Sequence, residues 1–144
     1  MVRKVERKDV QAAAELALLL WGGHSAAGLA DEFSELLSRE DAQIFLKFDK
    51  DVPVGFAQCQ LRHDYVEGTE TSPVGYLEGV FVQEAFRRRG YGGELLAACE
   101  AWAKEMGCRE FASDCEIHNG GSFRFHRALG FSEANRIVCF VKKI

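Results

Sequence analysis

The residue types best suited to chemistry occur in one segment, residues 81–93, which reads FVQEAFRRRGYGG. A strand pattern ends there, three arginines follow, and three glycines come within four positions before a helix pattern begins. Glycines let the backbone approach a ligand closely, and the first N–H groups of a helix have no partner within it. Residues 84–93 carry three Arg and one Glu, a local charge of +2 in a chain of net charge −4. The pattern predicts a site for an anion such as pyrophosphate; a capped turn with solvated arginines is the alternative.

Two spaced motifs then identify a family. The phosphate-loop pattern G-x-x-x-x-G-K and the dinucleotide pattern G-x-G-x-x-G are both absent. The segment instead resembles motif A of the GNAT-type N-acetyltransferases, here Arg87-x-x-Gly90-x-Gly92. One helix and one strand later, Asn119-x-x-Ser122-x-x-x-His126-x-x-x-Gly130-Phe131 is similar to the next motif of that superfamily.

The resemblance implies that acetyl-CoA binds here and that no metal or covalent enzyme intermediate takes part. Backbone groups of Phe81, Val82 and Gln83 would pair with the pantetheine arm like an added strand. The pyrophosphate would be held by Arg88, Arg89, Gly90, Tyr91, Gly92 and Gly93, with Asn119 contacting the cofactor beyond it. An amine would attack the thioester directly, and a backbone N–H near Phe81 or Val82 would meet the developing oxyanion. His126 stands where many members have the Tyr that protonates the leaving thiolate; a packed helix residue is the alternative.

Acidic residues indicate the nature of the acceptor. Between Arg62 and Glu78 the charges sum to −3, one Arg against Asp64, Glu67, Glu70 and Glu78. Glu78 lies within a strand pattern, and Asp114 ends the strand pattern that follows the next helix. If those strands are neighbours, both carboxylates face the cleft, where they would bind a polycation and accept a proton from its ammonium group. The loop charges alone could equally be solvated, but Glu78 lies among apolar residues and should need a partner.

Several further segments resemble the aminoglycoside 6′-N-acetyltransferases along the whole chain. They are Leu20-Trp21-x-Gly23-His24, Arg62-His63-Asp64-Tyr65-Val66-x-Gly68, Ser72-Pro73-Val74, Leu77-Glu78-Gly79-Val80-Phe81-Val82, Gly107-Cys108-Arg109-Glu110 and Ala112-Ser113-Asp114. The resemblance implies transfer of an acetyl group to the 6′-amine of an aminoglycoside antibiotic, giving resistance. Trp21 and Tyr65 would line the sugar pocket, Glu78 and Asp114 would bind amines, and Glu133 or Asn135 would add a contact. It also implies a homodimer. Acetylation of another amine (a polyamine, a metabolite or a protein N-terminus) and a non-catalytic acetyl-CoA-binding domain are the alternatives.

The elements that must position these residues follow from periodicity. Strands are expected at 2–6, 43–48, 52–61, 76–82 and 108–113, with closing strand material at Phe131 and 138–141. Helices are expected after a cap at Asp9, at 30–39, from the Gly-rich stretch to just before Gly107, and at 119–129. The predicted class is α/β (α+β), and the resemblance implies the GNAT fold, a mixed and mostly antiparallel sheet flanked by about four helices.

Composition limits the possible domain number, partners and location of the protein. The 144 residues, 47% hydrophobic and 28% charged, suit one globular domain spanning 1–144. The acidic balance argues against nucleic acid as the partner. Five cysteines form no C-x-x-C pair, and neither a signal-peptide h-region nor a run of about 18 apolar residues occurs, so we expect a cytoplasmic protein that neither spans nor binds a membrane. Cys115 and His118 form an isolated C-x-x-H, from which we predict no metal site.

Overall fold

The computed structural model describes residues 1–144 and contains one five-stranded sheet of spatial order β1-β2-β3-β4-β5. Neighbouring strands run antiparallel except β4 and β5, which run parallel. The strands are β1 Val2–Lys4, β2 Ala42–Asp49, β3 Val52–Arg62, β4 Val74–Val82 and β5 Phe111–Ala112. The α-helices are α1 Val10–Leu20, α2 Ala26–Leu37, α3 Tyr91–Glu105 and α4 Gly120–Ala128. The predicted mixed, mostly antiparallel sheet with about four helices is confirmed.

Helices cover both faces of the sheet. Because side chains alternate along a strand, neighbouring residues of β3 belong to different cores. Phe56 is buried with Phe33 of α2, on the face that α1 and α2 cover. Cys59 is buried with Cys99 of α3, on the opposite face. Residues of β3 and β4 that point to the α1–α2 face are therefore separated from those that support α3.

Two irregularities open the sheet at β4. Gln58 pairs with Gly79 and Cys59 with Leu77, so Glu78 is an extra residue without a partner on β3. Such a bulge bends the strand and redirects side chains, and bulges are common beside active sites. On the other edge, β5 pairs only with Gly75 and Tyr76, which leaves β4 from Leu77 to Val82 without a partner strand.

The predicted strand 108–113 was wrong in extent, since only Phe111 and Ala112 pair with β4. The chain leaves β4 after Ala112, and the hydroxyl of Ser113, not a backbone N–H, donates to the Leu77 carbonyl at 3.4 Å. This early departure creates the free edge of β4.

The predicted closing strand at Phe131 and 138–141 was also wrong. Residues 132–144 form no helix or strand and make no backbone–backbone hydrogen bonds. We call residues 137–144 the C-terminal arm. Its apolar side chains are almost uncovered, for example Phe140 at 92% and Val141 at 96% exposure. A strand needs a neighbour for its N–H and C=O groups, and this chain supplies none along the arm.

Two helix starts differ from expectation for identifiable reasons. α2 begins at Ala26 instead of residue 30 because the Ser25 hydroxyl accepts a hydrogen bond from the Gly28 N–H at 3.0 Å. Asp9 directly precedes α1 but does not cap it. Its carboxylate accepts hydrogen bonds from Arg3 at 2.6 and 2.9 Å and from the Glu6 N–H at 2.9 Å. The bond from Arg3 is the main reason why the pKa of Asp9 is lowered to about 2.

None of the helices combines the length and the hydropathy needed to cross a lipid bilayer.

Candidate active site

The loop before α3 presents a row of free backbone donors. The N–H groups of residues 88–93 donate no hydrogen bond within the chain. Gly90, with φ of 79°, occupies the left-handed region directly before α3, and no side chain caps the helix. Arg88 also has a positive φ, of 63°. Consecutive N–H groups in such a turn form a concave binding site for an anion, which the helix dipole reinforces.

The three arginines of this loop have different surroundings. Arg87 donates from Nε to the Val82 carbonyl at 2.8 Å and so ties the loop to the end of β4. Arg89 lies 3.5 Å from an Asp49 carboxylate oxygen. Arg88 is exposed and forms no ion pair, so its guanidinium is the one available to an anion. The motif residue Arg87 therefore has a structural contact, and Arg88 is the free cation.

Two contacts that the sequence did not reveal hold the first turn of α3. The buried ammonium of Lys47 on β2 pairs with Glu94 and lies 4.1 Å from the centre of the Tyr91 ring. The bond to Glu94 raises the pKa of Lys47, so this cation stays charged beneath the loop. On the other side, a Cβ at Gly92 would lie 2.8 Å from a ring carbon of Phe125, so glycine allows α4 to pack closely on α3.

The free edge of β4 carries one N–H of particular interest. The Gln83 N–H donates to the Val54 carbonyl at 2.9 Å and therefore points toward β3. Strand N–H groups alternate in direction, so that of Phe81 also points toward β3 and that of Val82 points to the free edge. Of the two predicted oxyanion donors, the geometry thus favours Val82.

Two predicted residues of the second motif hold α4 in place. The Asn119 side chain caps α4 by accepting from the Ser122 N–H at 3.0 Å. His126 Nδ1 lies 2.7 Å from the Ser122 carbonyl, which fixes the proton on Nδ1. Its Nε2 lies 2.8 Å from the Ser113 hydroxyl oxygen. His126 is thus a packed residue, but the hydroxyl that it contacts lies at the free edge of β4.

The carboxylate of Glu78 has the partner that its apolar neighbours predicted. Arg62, the last residue of β3, donates from Nη2 to both oxygens at 2.9 and 3.1 Å and from Nε to Oε1 at 3.2 Å. The sequence reasoning counted Arg62 only as a charge. The positions of Arg62 and Glu78 in the sequence could not predict this ion pair, because the two residues lie on different strands.

A second pairing links Asp114 to the same group. The hydroxyl of the buried Tyr76 donates to Asp114. Glu78 lies within β4 and Asp114 follows β5, and the pairing of β4 with β5 confirms that these two strands are neighbours. The Arg62 guanidinium lies 3.4 Å from the centre of the Tyr76 ring. Burial, and then the bond to Asp114, raises the pKa of Tyr76 well above its ordinary value. We call Arg62, Tyr76, Glu78 and Asp114 the acceptor cluster.

Trp21 lies beside this cluster and also belongs to the core. Its ring packs edge-on against Phe56, with centroids 5.7 Å apart. The ring also covers Gly79, where any Cβ would overlap it. Glycine after the bulge therefore lets the indole approach the backbone next to Glu78. The core interpretation of Trp21 is confirmed, and its role in a sugar pocket stays a prediction.

Of the remaining predicted residues, two meet at the Glu67 carboxylate. Tyr65 is 79% exposed, and its hydroxyl lies 3.4 Å from one oxygen of Glu67. Asn135 donates to the other oxygen of Glu67 at 2.8 Å, so the structure brings Tyr65 and Asn135 together. Glu133 instead pairs with Arg136.

The loop from β3 to β4 that carries Tyr65 is held by a residue the sequence reasoning missed. The Glu110 carboxylate accepts from the N–H groups of Glu70 and Thr71 at 2.9 and 2.8 Å and also from the Thr71 hydroxyl. These bonds lower the pKa of Glu110, and the bond from the Thr71 hydroxyl has the largest effect.

Taken together, the opening has three chemically different parts. Free N–H groups and Arg88 suit an anion, the unpaired edge of β4 suits an extended amide-bearing chain, and the acceptor cluster suits a cation. No three His, Cys, Asp or Glu side chains form a group that could hold a metal ion. A model of the acetyltransferase (GNAT) family matches residues 10–131.

The chain belongs to the GNAT family.

Individual proteins resemble this GNAT acetyltransferase over nearly its whole length. An aminoglycoside N(6′)-acetyltransferase type 1 of Stenotrophomonas maltophilia is 43% identical over 140 residues, 96% of this chain and 90% of the relative. The solved AAC(6′)-Iy in complex with the bisubstrate analogue CoA-S-monomethyl-acetylneamine has a TM-score of 0.96 at 36% identity, covering 100% of this chain and 98% of that one. AAC(6′)-Iy in complex with CoA has a TM-score of 0.97 at 36% identity, with 100% and 95% covered.

Proposed function

We propose that this acetyltransferase transfers the acetyl group of acetyl-CoA to the 6′-amine of aminoglycoside antibiotics and so gives resistance to them. The observation that carries the proposal is the opening at β4, with free anion-binding N–H groups at one end and paired carboxylates at the other. Full-length similarity to enzymes named for this reaction supports the same substrate class.

The residues of the loop fit coenzyme A. The N–H groups of residues 88–93, together with Arg88 and Arg89, would hold the pyrophosphate. The free edge of β4 at Phe81, Val82 and Gln83 would pair with the amides of the pantetheine arm. Asn119 would contribute its side-chain N–H₂ group, since its oxygen is used to cap α4.

For the acceptor, we assign Glu78 and Asp114 to the binding of protonated amines, with Trp21, Tyr65 and Asn135 around the sugar. Bound acetyl-CoA supplies the acetyl group as a thioester, which the neutral amine attacks. Glu78 or Asp114 takes the proton that the ammonium must lose, directly or through water. The Val82 N–H stabilises the negative charge that develops on the carbonyl oxygen.

His126 is the proposed source of the proton for the sulfur of the departing coenzyme. For this step His126 carries a proton on each ring nitrogen: Nε2 gives its proton to the Ser113 oxygen, and the Ser113 hydroxyl gives its own proton to the sulfur. Replacing His126 with Gln tests this role. We expect kcat to fall about tenfold or more while the KM values for both substrates change less than about twofold. An unchanged kcat would leave His126 as a packing residue alone.

We further propose a homodimer, supported by the C-terminal arm. Five apolar side chains of the arm are 68–115% exposed: Ile137, Val138, Phe140, Val141 and Ile144. Uncovered apolar side chains in such a run mark an interaction surface. A second copy is the occupant that fits, because β5 is an edge strand and could pair with an extended arm. Sedimentation of the full chain should give a dimer, and a chain ending at Arg136 should give a monomer. Sedimentation of the full chain as a monomer would contradict the proposal.

The five free cysteines support a location in the reducing cytoplasm, which we also propose.

A thiol-release assay tests the activity. We expect acetyl-CoA to be consumed with kanamycin, and product analysis to find the acetyl group on the 6′-nitrogen. A matched aminoglycoside that carries a 6′-hydroxyl in place of the amine should give no release. Turnover of spermidine or a peptide without turnover of kanamycin would assign another amine substrate, and binding without release of coenzyme A would exclude an enzyme.

A further inference from the structure

We propose that Arg62 is a built-in occupant of the amine-binding position, which a polycationic acceptor must displace and which thereby selects against single amines. Displacement would also uncover the Tyr76 ring as the floor of the subsite. This inference rests on the proposed function, because it takes Glu78 and Asp114 as the groups that bind acceptor amines.

The guanidinium of Arg62 fills the hydrogen-bonding capacity that an ammonium group would need. An ionised carboxylate offers about four acceptor positions, and Arg62 uses three of them on Glu78. A substrate ammonium that is to bind Glu78 with good geometry must therefore take positions that Arg62 holds. Arg62 is thus an internal equivalent of the substrate's positive charge.

Beneath the guanidinium lies the kind of surface that recognises cations. The centre of the Tyr76 ring is 3.4 Å from the Arg62 Cζ atom, and the Tyr76 hydroxyl is fixed by Asp114. With the guanidinium moved aside, an aromatic face would lie between two carboxylates. Aromatic faces and carboxylates together favour organic ammonium groups and the apolar faces of sugars.

The position of Arg62 allows this movement. It ends β3, where its Cα partner is Val74, and an exposed polar stretch follows it. Its side chain is 39% exposed, against 21% for Glu78, and it forms no hydrogen bond outside this pair. Leaving Glu78 therefore costs Arg62 this ion pair and its contact with the Tyr76 ring, and it returns the guanidinium to water.

Because Arg62 is tethered, it competes at a high local concentration that does not depend on dilution. A single ammonium group replaces one ion pair with another and gains little. An acceptor with several amines gains a further pair, with Asp114, and so outcompetes the arginine. Arg62 would thus favour polycations over monoamines.

Steady-state kinetics of the full-length enzyme tests the proposal, with kanamycin as the polycation and 6-amino-6-deoxyglucose as the single amine. Arg62→Met should lower the KM for kanamycin about two- to fivefold, as expected for loss of a competing, partly exposed ion pair, with kcat and the KM for acetyl-CoA little changed. The kcat/KM for the single amine should rise more than that for kanamycin. Arg62→Lys, which keeps a cation but not the paired donors, should fall between wild type and Arg62→Met.

The matched control is Arg109→Met, which removes the same charge from an exposed arginine that forms no ion pair, and it should leave all these values unchanged. An unchanged or higher KM for kanamycin in both Arg62 variants, or a fall in kcat alone, would make Arg62 a residue that positions Glu78 and would overturn the proposal. If Arg62→Met does not fold, the KM of Arg62→Lys decides. A wild-type enzyme inactive on kanamycin refutes the proposed function itself, whereas an active wild type with unaffected variants refutes only the displacement by substrate.

Discussion

The two ends of the opening are built in opposite ways. The loop of residues 88–93 offers backbone N–H groups with no partner in the chain and one free cation, Arg88. The acceptor cluster consists of side chains whose charges and hydroxyl are already paired, Arg62 with Glu78 and Tyr76 with Asp114.

This difference suits the two ends to different kinds of ligand. A backbone site has a fixed shape and suits one invariant ligand group, because its donors cannot rearrange. A side-chain site can exchange its internal pairs for pairs with a ligand, which suits acceptors that vary in the number and placement of amines. Variants at the two ends should therefore affect different substrates.

The largest effect should come from the acceptor end. Glu78→Gln removes the charge that we propose binds the amine and accepts its proton, so kcat/KM for kanamycin should fall about 100-fold. The KM for acetyl-CoA should stay within about twofold, as measured by thiol release. Glu67→Gln, the same change in the loop between β3 and β4, is the comparison and should cost less than about fivefold. An equal loss of acetyl-CoA affinity in Glu78→Gln would remove the distinction between the two ends.

A variant of the loop should instead weaken the binding of acetyl-CoA. Gly92→Glu places a carboxylate and a clash with Phe125 at the start of α3. The KM for acetyl-CoA should therefore rise about 10- to 100-fold, the usual cost of losing hydrogen bonds to a charged group. The control Ala101→Glu adds the same charge to an exposed position of α3 far from its first turn and should have no such effect. An unchanged coenzyme affinity in Gly92→Glu would mean that the anion site lies elsewhere.

Substitutions of the neighbouring residues Arg87 and Arg88 should have smaller effects, and on different properties. Arg88→Ala removes the free cation and should raise the KM for acetyl-CoA about two- to fivefold at low salt, with the melting temperature unchanged. Arg87→Ala removes the donor to the Val82 carbonyl and should lower the melting temperature. If Arg88→Ala were the less stable of the two, the assignment of these residues would have to be exchanged.

The smallest effect is a titration that reports the pairing at the acceptor end. The chain has three tyrosines, and the raised pKa of Tyr76 means that it should remain protonated where exposed tyrosines ionise. Ultraviolet absorbance should detect one late-titrating tyrosine, absent in Tyr76→Phe and earlier in Asp114→Asn. Because the unfolded chain loses this proton near pH 10 and the folded chain keeps it, Tyr76 should also reduce stability as the pH rises above about 10. Ionisation of Tyr76 at the same pH in wild type and in Asp114→Asn would contradict the pairing.

The fold was predictable wherever periodicity and turn chemistry agreed. Strands β2, β3 and β4 and helices α1, α3 and α4 follow their sequence patterns, and the start of α3 follows from the glycines at 90, 92 and 93. The closing strand was predicted wrongly, because apolar residues such as Val138 and Phe140 form a strand only if a neighbouring strand is present. The bulge at Glu78 also left no local signal, since it depends on the pairing register of β3 and β4.

The residues alone were enough to place the chain in its family and to predict an anion-binding loop and two carboxylates at the acceptor. Each of these depends on residues close together in the chain or on motifs at fixed spacing, so the local physics of helix starts and charge patterns was sufficient. The tertiary structure was needed to show that Arg62 pairs with Glu78, that Tyr76 holds Asp114 and that the Val82 N–H points to the free edge. Those contacts join residues on different strands, where register and strand direction, and not composition, determine which groups meet.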